Sequence, residues 1–303
     1  MASPLYSPEP KRNHRANWLE RFLGVERNMD AKVVAVLEQA AIDAEKALAK
    51  VGGDDLPANT KRLQYNLALK SIRRTIAELF YDIEDIVRDS SKDAAVAAVE
   101  AGIADDAKVL RELFPDAAER SDYLDSLKQT AERNVQATIT RILVTEQPLS
   151  SRVYKTRALS NGLVTRTINN GLARGDSAAT IASNVSGSIR PSVKGGVSYA
   201  AQRVARTEIN NAYHAQSIMQ NQEKPWVDHI EWRLSKSHRS SGCVCETYAA
   251  QRKFSKEAVP PKPHPQCYCY VVPVVVDDAV FFANLKAGFY NQYLDTMPTA
   301  PAL

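Results

Sequence analysis

Four cysteines fall within a window of 27 residues, as Cys243-Val-Cys245 and Cys267-Tyr-Cys269. His264 stands just ahead of the second pair in Pro263-His264-Pro265-Gln266-Cys267, and His238 lies just ahead of the first. Two pairs of soft ligands about twenty residues apart is the arithmetic of a structural zinc site. Thiolate and imidazole donors favour zinc over Mg²⁺ or Ca²⁺, which prefer oxygen ligands. The prolines flanking His264 restrict its backbone, which lowers the entropy lost when the ligands converge. Structural zinc sites usually place two residues between paired ligands, and here there is one. On an extended strand alternate residues point the same way, so both sulfurs of a pair can still face one metal. The preferred ligand set is Cys243, Cys245, His264 and Cys267. Cys269 is held in reserve, as a fifth ligand or a buried strand residue. Two other fates of the thiols stay open: two disulfides, which a cytosolic setting disfavours, or four free buried thiols.

A closed site built from three or four thiolates is structural rather than catalytic. One enzymatic pattern comes near. His229-Ile230-Glu231 followed by Pro265-Gln266-Cys267-Tyr268-Cys269 loosely matches the H-x-E and P-C-x-x-C signature of zinc deaminases. The second half lacks an adjacent Pro-Cys and the two-residue gap, and His229 falls on a strand. It reads as an exposed strand residue. The sequence carries no Ser-His-Asp arrangement and no glycine-rich phosphate loop, and Gly195-Gly196 reads as a helix-start turn. The expectation is a protein that is not an enzyme.

The elements that must position these residues are mostly helices. Val33, Val34, Val36, Leu37, Ala40, Ala41, Ala44 and Leu48 recur near the 3.6 period, which predicts a helix over 30–50 that Gly52-Gly53 stops. A second helix is expected from Asn59-Thr60 past Leu67, Ile72, Ile76, Leu79, Phe80, Ile83 and Ile86. A third covers 117–143 through Tyr123, Leu124, Leu127, Ala131, Val135 and Ile139. The chain has 41 alanines, many of them in these segments, and alanine has the best helix propensity. Asp176 is the expected cap of a shorter helix. A long helix follows over Val193–Gln222, with an apolar stripe from Val197 to Met219 and a polar stripe of Arg203, Arg206, Asn210 and His214. After Pro225 the period changes to two. Ile230, Trp232 and Leu234 share one face of a strand, His229, Glu231 and Arg233 the other, and Cys269–Val276 forms a second, β-branched strand. The fold class expected is mainly α with a small α+β C-terminal domain. Its expected parts are a flexible basic arm over 1–28, a helical domain over 29–150, a domain with the Cys/His cluster over 151–276, and an aromatic tail over 277–303. Trp18, Leu19, Phe22 and Leu23 form a short apolar stripe that either docks on a partner or packs on the body. The tail, with Phe281, Phe282, Phe289, Tyr290 and Tyr293, either packs back on the domain, the preferred reading, or docks on a partner.

Net charge conceals a division. The chain holds 39 Lys+Arg and 35 Asp+Glu, for a net +4, but residues 1–150 carry −4 and residues 151–303 carry +8. Such a split raises the prospect of a polyanion or acidic protein partner near the basic half. No apolar run reaches the roughly 18 residues of a membrane-spanning helix. The opening Met1-Ala2-Ser3-Pro4 lacks the layout of a signal peptide, so the expected setting is a cytosol.

Two stretches together suggest a family. Val204-Ala205-Arg206-Thr207-Glu208 with Ala212-Tyr213-His214 resembles the helical "A-R-T-E … A" motif of phage Mu F-like minor head proteins. The strand Ile230-Glu231-Trp232-Arg233, the Cys243/Cys245 pair and Pro263-His264-Pro265-Gln266-Cys267-Tyr268-Cys269 through Val274 resemble that domain's order and its ending. The resemblance covers about residues 160–276. Tyr268 stands where the family usually has Arg, and the first cysteine pair is tighter. The resemblance implies a minor capsid protein of a tailed phage, active in head morphogenesis, present in the virion interior and in the host cytoplasm during assembly. It implies partners such as portal, major capsid or scaffold protein, a link to DNA packaging or ejection, no membrane and no enzymatic activity. Packaged double-stranded DNA could be held without base readout by Arg174, Arg190, Lys194 and Arg203 through counterion release. Arg206 and Glu208 are expected to order the domain core, Glu208 with a buried partner. The competing reading is a zinc-stabilised nucleic-acid-binding protein outside any virion.

Overall fold

The computed structural model describes residues 12–52, 57–141, 149–191, 196–236 and 242–296. The first half is helical: α1 (Arg12–Ala49), α2 (Ala58–Asp105), α3 (Ala107–Leu113) and α4 (Ala117–Thr140). Next come α5 (Leu149–Arg174), α6 (Ala178–Ile189) and α7 (Gly196–Gln222). The C-terminal region adds β1 (Val227–Arg233), α8 (Val244–Gln251), β2 (Lys253–Phe254), β3 (Tyr270–Val275), α9 (Asp278–Lys286) and α10 (Asn291–Thr296). The protein is therefore mainly α with one small antiparallel sheet near its C-terminal end.

Packing divides the chain into two compact units that cut across the linear domains expected from sequence. One combines Met1–Val25, Ser91–Ile142 and Thr207–Leu303, and the other Glu26–Ser90 and Leu143–Arg206. The linear division differs because α1, α2 and α7 are each long enough to contribute to both units. The arm expected over 1–28 is helical from Arg12 onward.

The helical unit is organised by the stripes read from the sequence. Val33, Leu37, Ala41 and Ala44 of α1 are buried, as are Ile72, Ile76, Leu79 and Ile83 of α2. Leu67 departs from its expected place and is exposed, because Tyr65 and Ala68 take the inward positions of that turn. The cap of α6 is Ser177, whose hydroxyl accepts from the Thr180 amide at 3.2 Å. Asp176, the expected cap, instead accepts two bonds from the Arg174 guanidinium. Gly171 on α5 faces Ile181 of α6, where a Cβ would fall 2.6 Å from the isoleucine Cγ1, so only glycine permits this approach. A cavity of about 390 Å³ is lined by Phe80, Tyr81, Tyr154 and Arg157 among others, and Arg157 lies over both tyrosine rings.

The other unit holds the sheet, in the order β2-β1-β3 with both pairings antiparallel. Register sets Ile230 opposite Phe254 and Pro273, and Trp232 opposite Val271. Pro273 is tolerated because β3 is an edge strand. The alternation expected in β1 holds for Ile230 and Trp232, which are buried. Glu231, on the polar face, is buried as well, because the Arg233 and Arg252 guanidinium groups bond to its two carboxylate oxygens. A second cluster joins Val109, Trp226, Val275, Phe281 and Tyr290, so the aromatic tail packs back on its own unit. Phe22 of α1 is fully buried in this unit, edge-on to Tyr213 and Tyr268. Tyr268 thus meets the N-terminal helix.

Candidate metal centre

Cys245, Cys267 and Cys269 are side chains of a buried core, packed with Ile230, Trp232, Phe254 and Val271. The first cysteine pair is brought there by a helix start rather than by the strand alternation expected from sequence. Cys243 is the N-cap residue of α8, with extended backbone, and Cys245 lies in the first turn. A helix N-terminus carries partial positive charge, which suits a sulfur that must ionise. Glu246 steadies the start by accepting from the Gly242 amide at 3.1 Å. Cys267 and Cys269 come from the segment that enters β3, where Gln266 takes a left-handed φ of 55° and turns the chain.

The ligand atoms form two overlapping triads, Cys243/Cys245/His264 and Cys245/Cys267/Cys269, each with its atoms within 4.8 Å of one another. Cys245 belongs to both. Its Sγ lies 3.4 Å from Cys267 Sγ and 3.5 Å from His264 Nε2. All four thiols are free, and 3.4 Å is far beyond the roughly 2.05 Å of a disulfide bond. His264 is oriented through its other nitrogen. Nδ1 lies 3.0 Å from the Pro265 carbonyl, and donation there leaves Nε2 as the free lone pair beside Cys245. A second nitrogen bonded to a carbonyl is the usual support of a metal-ligating histidine. This soft, buried donor set could hold a metal ion.

The electrostatics of the pocket are uneven. Burial pushes the Cys245 thiol up to about 12. Cys267 is held below the ordinary thiol value, first by a hydrogen bond from Cys269, with the Lys262 ammonium adding to the effect. Cys269, the donor in that bond, is raised. Lys262 donates to the Cys269 carbonyl and lies over the Trp232 ring. Burial draws its ammonium down to about 8, against the pull of the Cys267, Cys269 and Cys245 sulfurs. A cation beside several thiolates offsets the negative charge that a thiolate-rich divalent site accumulates.

Helix α7 supplies the floor beneath this segment. Thr207, Asn210 and His214 recur at helical spacing, and all three meet the chain between Pro260 and Cys267. Thr207 Oγ1 accepts from the Gln266 amide at 3.2 Å, Asn210 Nδ2 donates to the Cys267 carbonyl, and His214 Nε2 lies 3.1 Å from the Pro260 carbonyl. Burial pushes His214 down to about 3, with the Lys262 charge adding to it, so the ring is neutral and donates. Its ring also stands edge-on to Trp232. Asn210 and His214 were visible in the sequence as part of a polar stripe, but nothing there revealed what they touch. Lys262 carried no signal beyond its place two residues before His264.

The remaining sequence-predicted residues lie elsewhere. His229 joins neither triad and bonds Asp228 through Nδ1 at 2.7 Å. His238 and Lys194 lie outside the described residues. Arg206 does not pair with Glu208. It forms a two-point contact with Asp30, at 3.1 and 2.7 Å, and lies 3.6 Å from Glu26. Glu208 is buried, at 1% exposure. Arg174 is bonded to Asp176 and Arg190 to Glu45, which raises both guanidinium groups above their usual value. Arg203 is an exposed residue of α7. These candidate nucleic-acid contacts belong to the helical unit, whereas the Cys/His cluster belongs to the other.

Fold and cluster together define a mainly helical protein with a Cys/His group, packed beside its small antiparallel sheet, that could hold a metal ion. No family model, no curated protein and no solved structure matches the chain.

Proposed function

We propose that this chain is a minor capsid protein of a tailed phage. In this reading it acts in head morphogenesis beside the portal, inside the head, and its C-terminal unit is stapled by a structural zinc ion. The observation that carries the reading is the bonding between the two separate stretches on which the family resemblance rests. Thr207, inside the Ala-Arg-Thr-Glu run, bonds Gln266, and Asn210, just beyond it, bonds Cys267, both inside the His-Pro-Gln-Cys-Tyr-Cys run. Contact between the two motifs supports reading them as parts of one site.

Cys243, Cys245, His264 and Cys267 remain the preferred zinc ligands, with Cys269 as the fifth candidate. Zinc is favoured over harder ions by the sulfur and imidazole donors. When bound, it would replace thiol protons and tie α8 to the segment before β3, which lets a three-stranded sheet with a two-residue edge strand keep its form. Four protein ligands leave no open position, so the centre has a scaffolding role and no catalytic one. The proposed partners are portal, major capsid or scaffold protein, and packaged DNA through non-specific contact.

Two measurements test the reading. Mass spectrometry of gradient-purified virions from a phage encoding this chain should find its peptides at low copy relative to the major capsid protein. Consistent absence from intact virions, with the protein present in the infected cell, overturns the virion assignment. Elemental analysis of protein purified without added metal should find zinc near one per chain, falling when the thiols are blocked. Metal-free protein with four reactive thiols overturns the zinc assignment.

A further inference from the structure

We infer that Asn210 is a positioning residue for the metal centre: with Thr207 and His214 it makes α7 a template that holds Pro260–Cys267 with His264 and Cys267 turned toward Cys245 before any metal arrives. The inference rests on the metal reading above and adds to it a source of order that lies outside the ligand set.

Gln266 adopts a left-handed φ of 55°, a conformation that L residues avoid and that surrounding contacts must hold in place. Two bonds from α7 hold it, one on each side of the turn. Thr207 Oγ1 accepts from the Gln266 N–H, and Asn210 Nδ2 donates to the carbonyl of Cys267. Together they set the direction in which Cys267 projects its sulfur. A third bond, from His214 to the Pro260 carbonyl, anchors the other end of the segment, and Lys262 between them donates to the Cys269 carbonyl. Every one of these contacts is to a main-chain atom, so the ligand side chains are left free.

Asn210 carries the most weight among the three. It is 2% exposed, and its Oδ1 has no hydrogen-bond partner among the described residues. The bond to Cys267 is therefore the polar contact its burial preserves. A preordered segment loses less conformational freedom when it binds, which appears as affinity. Outer partners of this kind are worth about 10- to 100-fold in metal affinity.

The test uses the full chain and zinc competition against a chromogenic chelator, with Co²⁺ substitution as a second readout. Asn210→Ala and Asn210→Leu, neither of which can donate to the Cys267 carbonyl, should bind zinc about 10- to 100-fold more weakly. They should also alter the visible Co²⁺ spectrum, while helical circular dichroism stays at the wild-type level. Asn221→Ala is the control. Asn221 is equally buried on the same helix but bonds only Ser217 within it, so its loss should leave affinity and spectrum unchanged. If the wild type takes up neither zinc nor Co²⁺, the metal reading falls and the template with it. If the wild type binds metal and the Asn210 variants match it in both readouts, the template alone is overturned. Should the Asn210 variants fail to fold, Thr207→Val decides. It removes the acceptor for Gln266 at constant volume, and wild-type affinity in that folded variant overturns the proposal.

Discussion

The two units of this protein differ in how deeply their charged pairs are buried. In the unit with the sheet, several charged and amide side chains are buried and bonded. Lys224 meets Asp106 with both side chains 8% exposed, Asn210 meets Cys267, and Glu231 is enclosed by Arg233 and Arg252. In the helical unit several ion pairs lie at the surface, as Arg74–Glu78, Arg174–Asp176 and Arg190–Glu45 do, while Arg206 against Asp30 and Glu26 is half-buried. Helices satisfy their own backbone and need only an apolar stripe to pack. This sheet has an edge strand of two residues and is supported by packing against helices and loops. The difference locates where single substitutions will hurt.

The largest expected effect is at Cys245, the one ligand shared by both triads. Cys245→Ala should abolish stoichiometric metal binding. The loss comes from a binding free energy that for structural zinc runs about 10–16 kcal/mol. Cys269→Ala should keep a competent set of four ligands and reduce affinity far less. Metal content after gel filtration, measured on both variants, checks the order, and equal loss would contradict the preferred ligand set.

Next is the Lys224–Asp106 pair. Asp106→Asn leaves a buried ammonium without its counter-charge, and such breaks cost about 3–5 kcal/mol. Replacing both residues with apolar ones of similar volume should recover most of the loss. Urea unfolding followed by tryptophan fluorescence is suited to this pair, because Trp226 lies two residues from Lys224 in a buried cluster.

Much of this contrast could be read from the chain, and most of what could not has one cause. The stripes of α1 and α2 were legible because Val33, Leu37, Ile72 and Ile76 face a core at the 3.6 period. β1 was legible because Ile230 and Trp232 alternate. The five metal-ligand candidates were legible from donor type and spacing. What escaped depends on partners distant in sequence. Glu231 looks like a solvent-facing strand residue until Arg252, 21 positions on, covers it. Nothing in the sequence ties Arg206 to Asp30, 176 positions away. The convergence of Cys243 and Cys245 through a helix start was hidden because Cys-Val-Cys fits a strand as well as it fits an N-terminal turn.

His214 gives the comparison a pH signature. Its folded value is pushed down to about 3 from 6.5, so between these limits the unfolded chain holds more protons than the folded one. The stability contributed by neutral His214 is complete above pH 6.5 and drains away as pH falls toward 3. The slope is at most about 1.4 kcal/mol per pH unit for one proton. His214→Gln keeps a donor for the Pro260 carbonyl and has no proton to gain, so its stability should fall less steeply between pH 7 and pH 5. Chemical denaturation of both proteins at several pH values measures the difference in slope, and parallel curves would contradict a buried neutral ring.

The smallest effect is expected where the helical unit keeps its charges. Arg190 and Glu45 are 40% and 41% exposed, at 2.8 Å. Both side chains are long, and water and salt reach them. The attraction is offset by the entropy of holding two flexible chains in one geometry, which leaves exposed pairs at roughly 0–1 kcal/mol. Arg190→Ala should therefore lower stability by less than about 1 kcal/mol, with the loss shrinking as salt is raised past the point where the Debye length is near 3 Å, about 1 M. The same salt should leave the cost of Asp106→Asn nearly unchanged, because that pair is shielded by protein rather than by ions. Measuring both variants at low and high salt thus separates surface pairing from buried pairing in one molecule. A large, salt-insensitive cost at Arg190 would mean that the helical unit, too, depends on buried polar order.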